Sequence, residues 1–170
     1  MTLPAGLRPD CAACVALCCV MPPFDAQQGF GYDKPAQVPC RNLRSDCRCA
    51  IHDHLAESGF PGCLRYDCYG AGQRTVREFG GDRLPHHGRQ ALFAAFSRLQ
   101  PLHELKALVH FTLERIEDAA QRRELHSRLE QIEALCLAAG SDAMLPAARQ
   151  LRAQVLDRLR QLLPQPSSPC

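Results

Sequence analysis

The 170-residue chain contains no Trp, and aromatic residues make up only 6% of it. It is therefore poorly supplied with the stacking platforms that hold single-stranded nucleic acid. Net charge is scarce too. A formal +2 gives no reason to expect the clustered basic stripe of a nucleic-acid-binding surface. Lysine is confined to Lys34 and Lys106 in an Arg-rich chain, a bias that resembles genomic GC content rather than a binding device. Long hydrophobic runs are also missing. The apolar stretch 11–21 stops at Pro22-Pro23, short of the ~20 residues a membrane span takes. A secretory signal needs a basic start and an unbroken apolar core, and Arg8, Pro9 and Asp10 interrupt this one. The expectation is a soluble cytoplasmic protein with no membrane and no nucleic-acid partner.

Cysteine is what the chain has in excess. Nine of its 11 cysteines fall within the first 68 residues: Cys11, Cys14, Cys18, Cys19, Cys40, Cys47, Cys49, Cys63 and Cys68. Only Cys136 and Cys170 lie beyond them. In a reducing compartment such density favours metal ligation or redox chemistry over structural disulfides, and the odd total fits a closed disulfide framework poorly.

The chain divides near residue 80. Before it stand Cys, Gly and Pro in short, weakly periodic segments; after it come long amphipathic patterns. The bridge GAGQRTVREFGGDRLPHHG is rich in breakers and is expected to be a loop or linker that carries one short ordered piece at some point. In the second half, Leu92, Phe93, Phe96 and Leu99 predict a helix over 89–99, and Pro101 can open another with Leu102, Leu105, Leu108, Val109, Leu113 and Ile116. A third, over 119–139, carries Leu125, Leu129, Ile132 and Leu135, with Gly140 as its C-cap. Ser141 or Asp142 then caps a fourth, lined by Met144, Ala148, Leu151, Val155, Leu159 and Leu162. The expected fold is mainly α: a small, loop-rich, Cys-ligated metal module over 1–80, packed on a three- or four-helix bundle over 81–163, with a disordered tail over 164–170.

In CAACVALCC, a helical backbone would bring Cys11, Cys14, Cys18 and Cys19 within a ~140° sector. The plain alternative is that buried thiols pack as small hydrophobes, but packing gives no reason to prefer sulfur over Ala or Val nine times. Thiolates at C-x2-C spacing converge on an ion when a tight turn puts both sulfurs on one side. Further ligands are available from Cys40, from Cys47 or Cys49 in CRC, and from Cys63 and Cys68 in GCLRYDC. His52 could donate a nitrogen, although it and His54 are equally natural as one surface and one packed residue. Asp67 suits either orienting a ligand or capping a turn, and the pair His86-His87 is expected in the linker.

The runs CAACVALCC, FGYDKPAQVPCRNL and CRCAIHDHLAESGFPGCLRYDCYGAGQ resemble the cysteine-rich N-terminal module of actinobacterial pentapeptide-repeat-containing proteins. More loosely, they are similar to the zinc- or iron-chelating cysteine-cluster family of YkgJ type. The resemblance covers about residues 11–75 and implies Cys11, Cys14, Cys18, Cys19, Cys40, Cys49, Cys63 and Cys68 as metal ligands, with Cys47 as an extra. The five-residue repeats themselves are absent, so the β-helix associated with them is not expected. Eight such thiols suit two four-thiolate zinc sites, or one four-thiolate iron–sulfur cluster with the others in support. The expected cofactor is therefore zinc or an iron–sulfur cluster.

Two rival functions remain open in the sequence. One is a thiol redox protein cycling pairs such as Cys18/Cys19 or Cys63/Cys68. The other is an adaptor whose zinc is structural and whose helical half binds a protein partner. A Cys nucleophile with His52 as base can be drawn, but nothing supplies an oxyanion hole or a third group, so no catalytic constellation is assigned. GAGQ lacks the spacing of a phosphate loop and is expected to be a tight turn.

Overall fold

Apolar side chains at i, i+3, i+4 and i+7 make the second half of the chain helical and bury one stripe of each helix. In the computed structural model, which describes residues 3–80 and 89–163, three long helices form: α4 (Arg89–Leu113), α5 (Ala119–Leu137) and α6 (Leu145–Leu162). Their stripes meet in one core. Leu92, Phe96, Leu99, Leu102, Leu105 and Val109 come from α4, Leu125, Ile132 and Cys136 from α5, and Leu151, Val155 and Leu159 from α6. The fold is a mainly α bundle. Among the described residues there is no strand; extended segments meet only at isolated antiparallel bridges, Phe24 with Lys34 and Leu43 with Cys49.

Three local expectations are corrected. Pro101 does not open a second helix but lies inside α4. A proline there forfeits one backbone hydrogen bond and crowds the preceding turn. Phe96, Leu99, Leu102 and Leu105 continue the same buried face across it, so packing overrides the break. Gly140 is not the C-cap of α5: the helix closes at Ala138, and Gly140 instead lets Phe79 approach, since a Cβ there would lie 3.3 Å from the ring. Ser141, one of the two candidate caps, does cap the 3-10 turn Asp142–Met144 that leads into α6, accepting the Ala143 N–H (3.2 Å).

The third correction concerns the bridge between the halves. The ordered piece within it is a helix that packs on the bundle, not a loop. Residues Ala71–Phe79 form α3, with Ala71, Gly72, Arg74, Thr75 and Val76 buried. The breakers lie at its two ends, Gly70 before and Gly80 after, while AGQRTV supplies a packable face. Residues 81–88, which include His86 and His87, lie outside the described residues. Arg74 anchors α3 electrostatically: it reaches Glu78 (2.9 Å) and, on α5, Glu133 (2.9 Å), which Lys106 of α4 also meets (2.6 Å). His103 of α4 adds a contact between Nδ1 and the Tyr69 carbonyl (2.6 Å). That carbonyl accepts only, so Nδ1 carries the proton. Leu17, Met21, Ala71 and Val76 enter the same core as the bundle.

The cysteine-rich segment also builds a second, smaller core from Phe24, Cys40, Leu55 and Phe60, joined by Phe30 and Tyr32. Phe24 stacks on Phe30 (centroids 4.9 Å apart), and Tyr32 stands edge-on to both Phe24 and Phe60 (6.0 Å each). Lys34 is buried against this core, and among the described residues no carboxylate forms an ion pair with it. Its ammonium shares its three N–H donors among the carbonyls of Val20 (3.2 Å), Pro22 (2.7 Å), Pro35 (3.1 Å) and Val38 (2.7 Å) and lies 4.5 Å from the Phe24 ring centroid.

Candidate metal centre

The segment CAACVALCC is not one helix. The Asp10 side chain caps a short 3-10 turn, Cys11–Ala13, by accepting from the N–H groups of Ala12 and Ala13. The chain then extends at Cys14 (φ −128°, ψ 153°), turns left-handed at Ala16 (φ 57°) and enters α1, Leu17–Val20. The left-handed step is unusual for a residue with a Cβ. It lets the N–H groups of Leu17 and Ala16 point back at the Cys14 sulfur. Cys18 and Cys19 follow on α1 with their sulfurs 4.0 Å apart.

The remaining thiols are held by similar local devices. Cys40 is buried; its N–H donates to the Cys19 carbonyl (2.9 Å), and its sulfur accepts from the Asn42 N–H (3.4 Å). Cys49 pairs across a bridge with Leu43, and the Ile51 N–H donates to its sulfur. Cys47 occupies a left-handed position (φ 61°) beside the Arg44–Asp46 ion pair. Cys63 sits on α2, Pro61–Arg65. Cys68 precedes α3, where the N–H groups of Gly72 and Gly70 donate to its sulfur. Four thiols thus accept from the amide two residues ahead, at Ala16, Asn42, Ile51 and Gly70. Such N–H···S bonds favour the thiolate and orient it as a ligand.

The turn after Cys68 is built around backbone that demands it. Asp67 accepts the Tyr69 N–H (2.6 Å), which makes it a turn cap; Tyr69 (φ 47°) and Gly70 (φ 76°) are both left-handed. Gly70 also abuts the Gly6 carbonyl, where no Cβ fits. Gly72 faces the thiols: a Cβ there would stand 2.7 Å from the Cys14 sulfur and 3.8 Å from that of Cys68. Gln73 straps the chain start to α3, accepting the Asp10 N–H and donating to the Arg8 carbonyl (2.8 Å each).

All nine cysteines of this segment line one cavity of about 420 Å³. The eight implied by the resemblance are among them, and so is Cys47. His52 is also on the wall, largely exposed and 3.5 Å from Asp53; His54 is not. All ten cysteines among the described residues are free thiols, and Cys136 lies apart, buried on α5. Among the described residues no three Cys, His, Asp or Glu side chains already share ligating geometry; the sulfurs stand round the wall rather than at a point. A cysteine moves its sulfur by turning χ1, so closing on an ion asks for side-chain rotation within the cavity. The donor set fits a soft metal: thiol-rich, backed by amide donors, and with Gly72 leaving room where a methyl group would intrude.

The cavity raises its thiols. Burial pushes Cys14 and Cys63 up to about 11, and raises Cys11, Cys49 and Cys68. Cys18 is raised most, first by its hydrogen bond with Cys19 and then by burial. These groups are protonated at neutral pH. A metal entering the cavity must therefore displace protons, and the binding free energy carries that cost. Thiols this high are weak nucleophiles, unlike the depressed thiols of disulfide exchangers. Lys34, Gly72 and Gln73 shape the site without standing out in the sequence. The rarity of lysine in an Arg-rich chain is the one signal that points to Lys34; Gly72 and Gln73 are hidden in GAGQ, whose composition reads only as a turn.

The geometry defines a class: a helical bundle bearing a cysteine-lined cavity built by its own N-terminal half. No family model and no solved structure matches the chain. Over 133 residues, 76% of its length, the chain is 38% identical to the uncharacterized protein YybG of Bacillus subtilis (strain 168). That match takes in 47% of YybG, so the chain spans about half the length of the curated relative it matches. Among the described residues no helix is long and apolar enough to cross a membrane.

Proposed function

We propose that this protein binds metal through cysteine thiolates, as zinc or as an iron–sulfur cluster, in the cavity between its N-terminal segment and α3. The observation that carries the reading is convergence. Nine cysteines spread from position 11 to position 68 line a single cavity, although they come from one 3-10 turn, two short helices and intervening loops. Backbone amides aimed at four of the sulfurs, and a glycine where a Cβ would meet two of them, support ligation over inert burial. The ligand candidates are Cys11, Cys14, Cys18, Cys19, Cys40, Cys49, Cys63 and Cys68, with Cys47 and His52 on the same wall.

A cysteine module this rich in loops has a small core of its own, so a bound metal would contribute directly to its folding. The bundle is then the scaffold that holds α3 and the Cys68 turn through Arg74, Glu133, Lys106 and His103. The test is elemental analysis with a visible spectrum on protein purified without oxygen. Zinc at one or more ions per chain, or iron with labile sulfide and a brown colour, is the expected outcome. Metal-free protein in which Cys18/Cys19 or Cys63/Cys68 cycle reversibly to disulfides would replace this reading with thiol redox chemistry.

A further inference from the structure

The nine thiols do not stand in one undivided ring, and the packing beneath them falls into two parts. Cys14 and Cys68 pack against the bundle core, together with Leu17, Ala71 and Val76. Cys19, Cys40, Cys49 and Cys63 pack against the separate aromatic core of Phe24, Leu55 and Phe60. Local geometry follows the same division. Cys11 sits on the 3-10 turn capped by Asp10, and Gln73 of α3 holds that turn by accepting the Asp10 N–H (2.8 Å), which places Cys11 on the Cys14 and Cys68 side. The backbone agrees: a Cβ at Gly72 would meet the Cys14 and Cys68 sulfurs together, and the Cys40 N–H is tied to the Cys19 carbonyl. The two groups meet at Cys18 and Cys19, 4.0 Å apart.

We propose that the cavity holds two soft metal ions in adjacent four-thiolate sites, one formed by Cys11, Cys14, Cys18 and Cys68 and the other by Cys19, Cys40, Cys49 and Cys63. This rests on the metal-binding reading above and adds to it the number of centres and the allocation of ligands. Adjacent residues on one helical turn then serve different ions, which explains a Cys-Cys pair where one mononuclear site needs only one of them. Each thiol entering a site gives its proton to solvent, and no electron is transferred. The two sites differ in attachment. The first joins α3 to the chain start and stands on the bundle; the second closes the aromatic core, next to the buried ammonium of Lys34.

The test uses the full chain, loaded with zinc alone and, in parallel, with cadmium. Elemental analysis should give two zinc ions per wild-type chain, and cadmium-113 NMR should give two signals of equal intensity in the all-sulfur range. Cys14→Ser/Cys68→Ser should retain one ion and lose one signal, and Cys40→Ser/Cys63→Ser should retain one ion and lose the other. One ion and one signal per wild-type chain would overturn the division while leaving metal binding intact. So would isolation of a single iron–sulfur cluster abolished equally by either double variant. No bound metal at all would overturn both readings. The wild-type cadmium spectrum decides the number of centres even if a variant fails to fold.

Discussion

Replacing Lys34 with Met removes a charge and keeps most of the stem. The ammonium has four carbonyl acceptors, of which the bond to Val20 is fully buried and those to Pro22, Pro35 and Val38 partly so. Leaving one buried carbonyl without a donor costs about 2 kcal/mol, and losing the contact with the Phe24 ring adds about 1. The three partly buried carbonyls can turn to water, and relief from desolvating an ammonium offsets their loss in part. The net expectation is a destabilisation of about 3 kcal/mol, confined to the cysteine-rich half. All three tyrosines of the chain, Tyr32, Tyr66 and Tyr69, lie in that half, so tyrosine fluorescence during urea denaturation reports on it selectively. With a urea slope of about 2 kcal/mol per molar, the midpoint should fall by roughly 1.5 M. A midpoint within about 0.2 M of wild type would refute the claim that Lys34 ties the chain segments together. Lys34 also faces Cys40 and Cys19, so removing its positive charge should make thiolates there harder to form, and the same variant should hold metal less tightly.

Three further outcomes are expected. Gly72→Ala puts a methyl group against the Cys14 sulfur, and overpacking of about 1–3 kcal/mol should weaken metal binding by about fivefold or more with helix content unchanged; chelator competition and far-ultraviolet dichroism check this, and unaltered affinity would sink it. Because the thiols are raised by burial and must lose protons on binding, metal affinity should fall as pH falls, by up to about four decades per pH unit for a four-thiolate site; a slope below one would show that thiolates are not the ligands. Burial lowers His103 to about 4 from an ordinary 6.5, so the unfolded chain takes up its proton first; stability is fully present above 6.5 and is lost as pH falls towards 4, by roughly 3 kcal/mol. Urea midpoints at pH 7.5 and 4.5 should show that loss in wild type and a smaller one in His103→Asn, and equal losses in both would assign the effect elsewhere.

The bundle was legible because its signal is periodic. Leu125, Ile132 and Leu151, Val155, Leu159 lie on the stripes that their spacing predicts, and each is buried. Pro101 misled because a local rule was applied where the buried face of α4 continues through it. The place and extent of α3 are not legible locally for a related reason: its flanking glycines outweigh a face whose largest buried side chain is an arginine, paired across space with Glu133 in a way no local window reveals. The cysteines were found by number and spacing. Their path was not, since the left-handed step at Ala16 breaks CAACVALCC into two turns. Nothing in composition separates Cys18 from Cys19, and only the two cores beneath them do.

The central claim, that thiolates of this cavity ligate metal, is tested most directly by X-ray absorption at the edge of whichever metal the purified protein carries. The account predicts a first shell of sulfur alone, at about 2.3 Å for zinc. A shell dominated by nitrogen or oxygen at about 2.0–2.2 Å, or protein that carries no metal to measure, would contradict it.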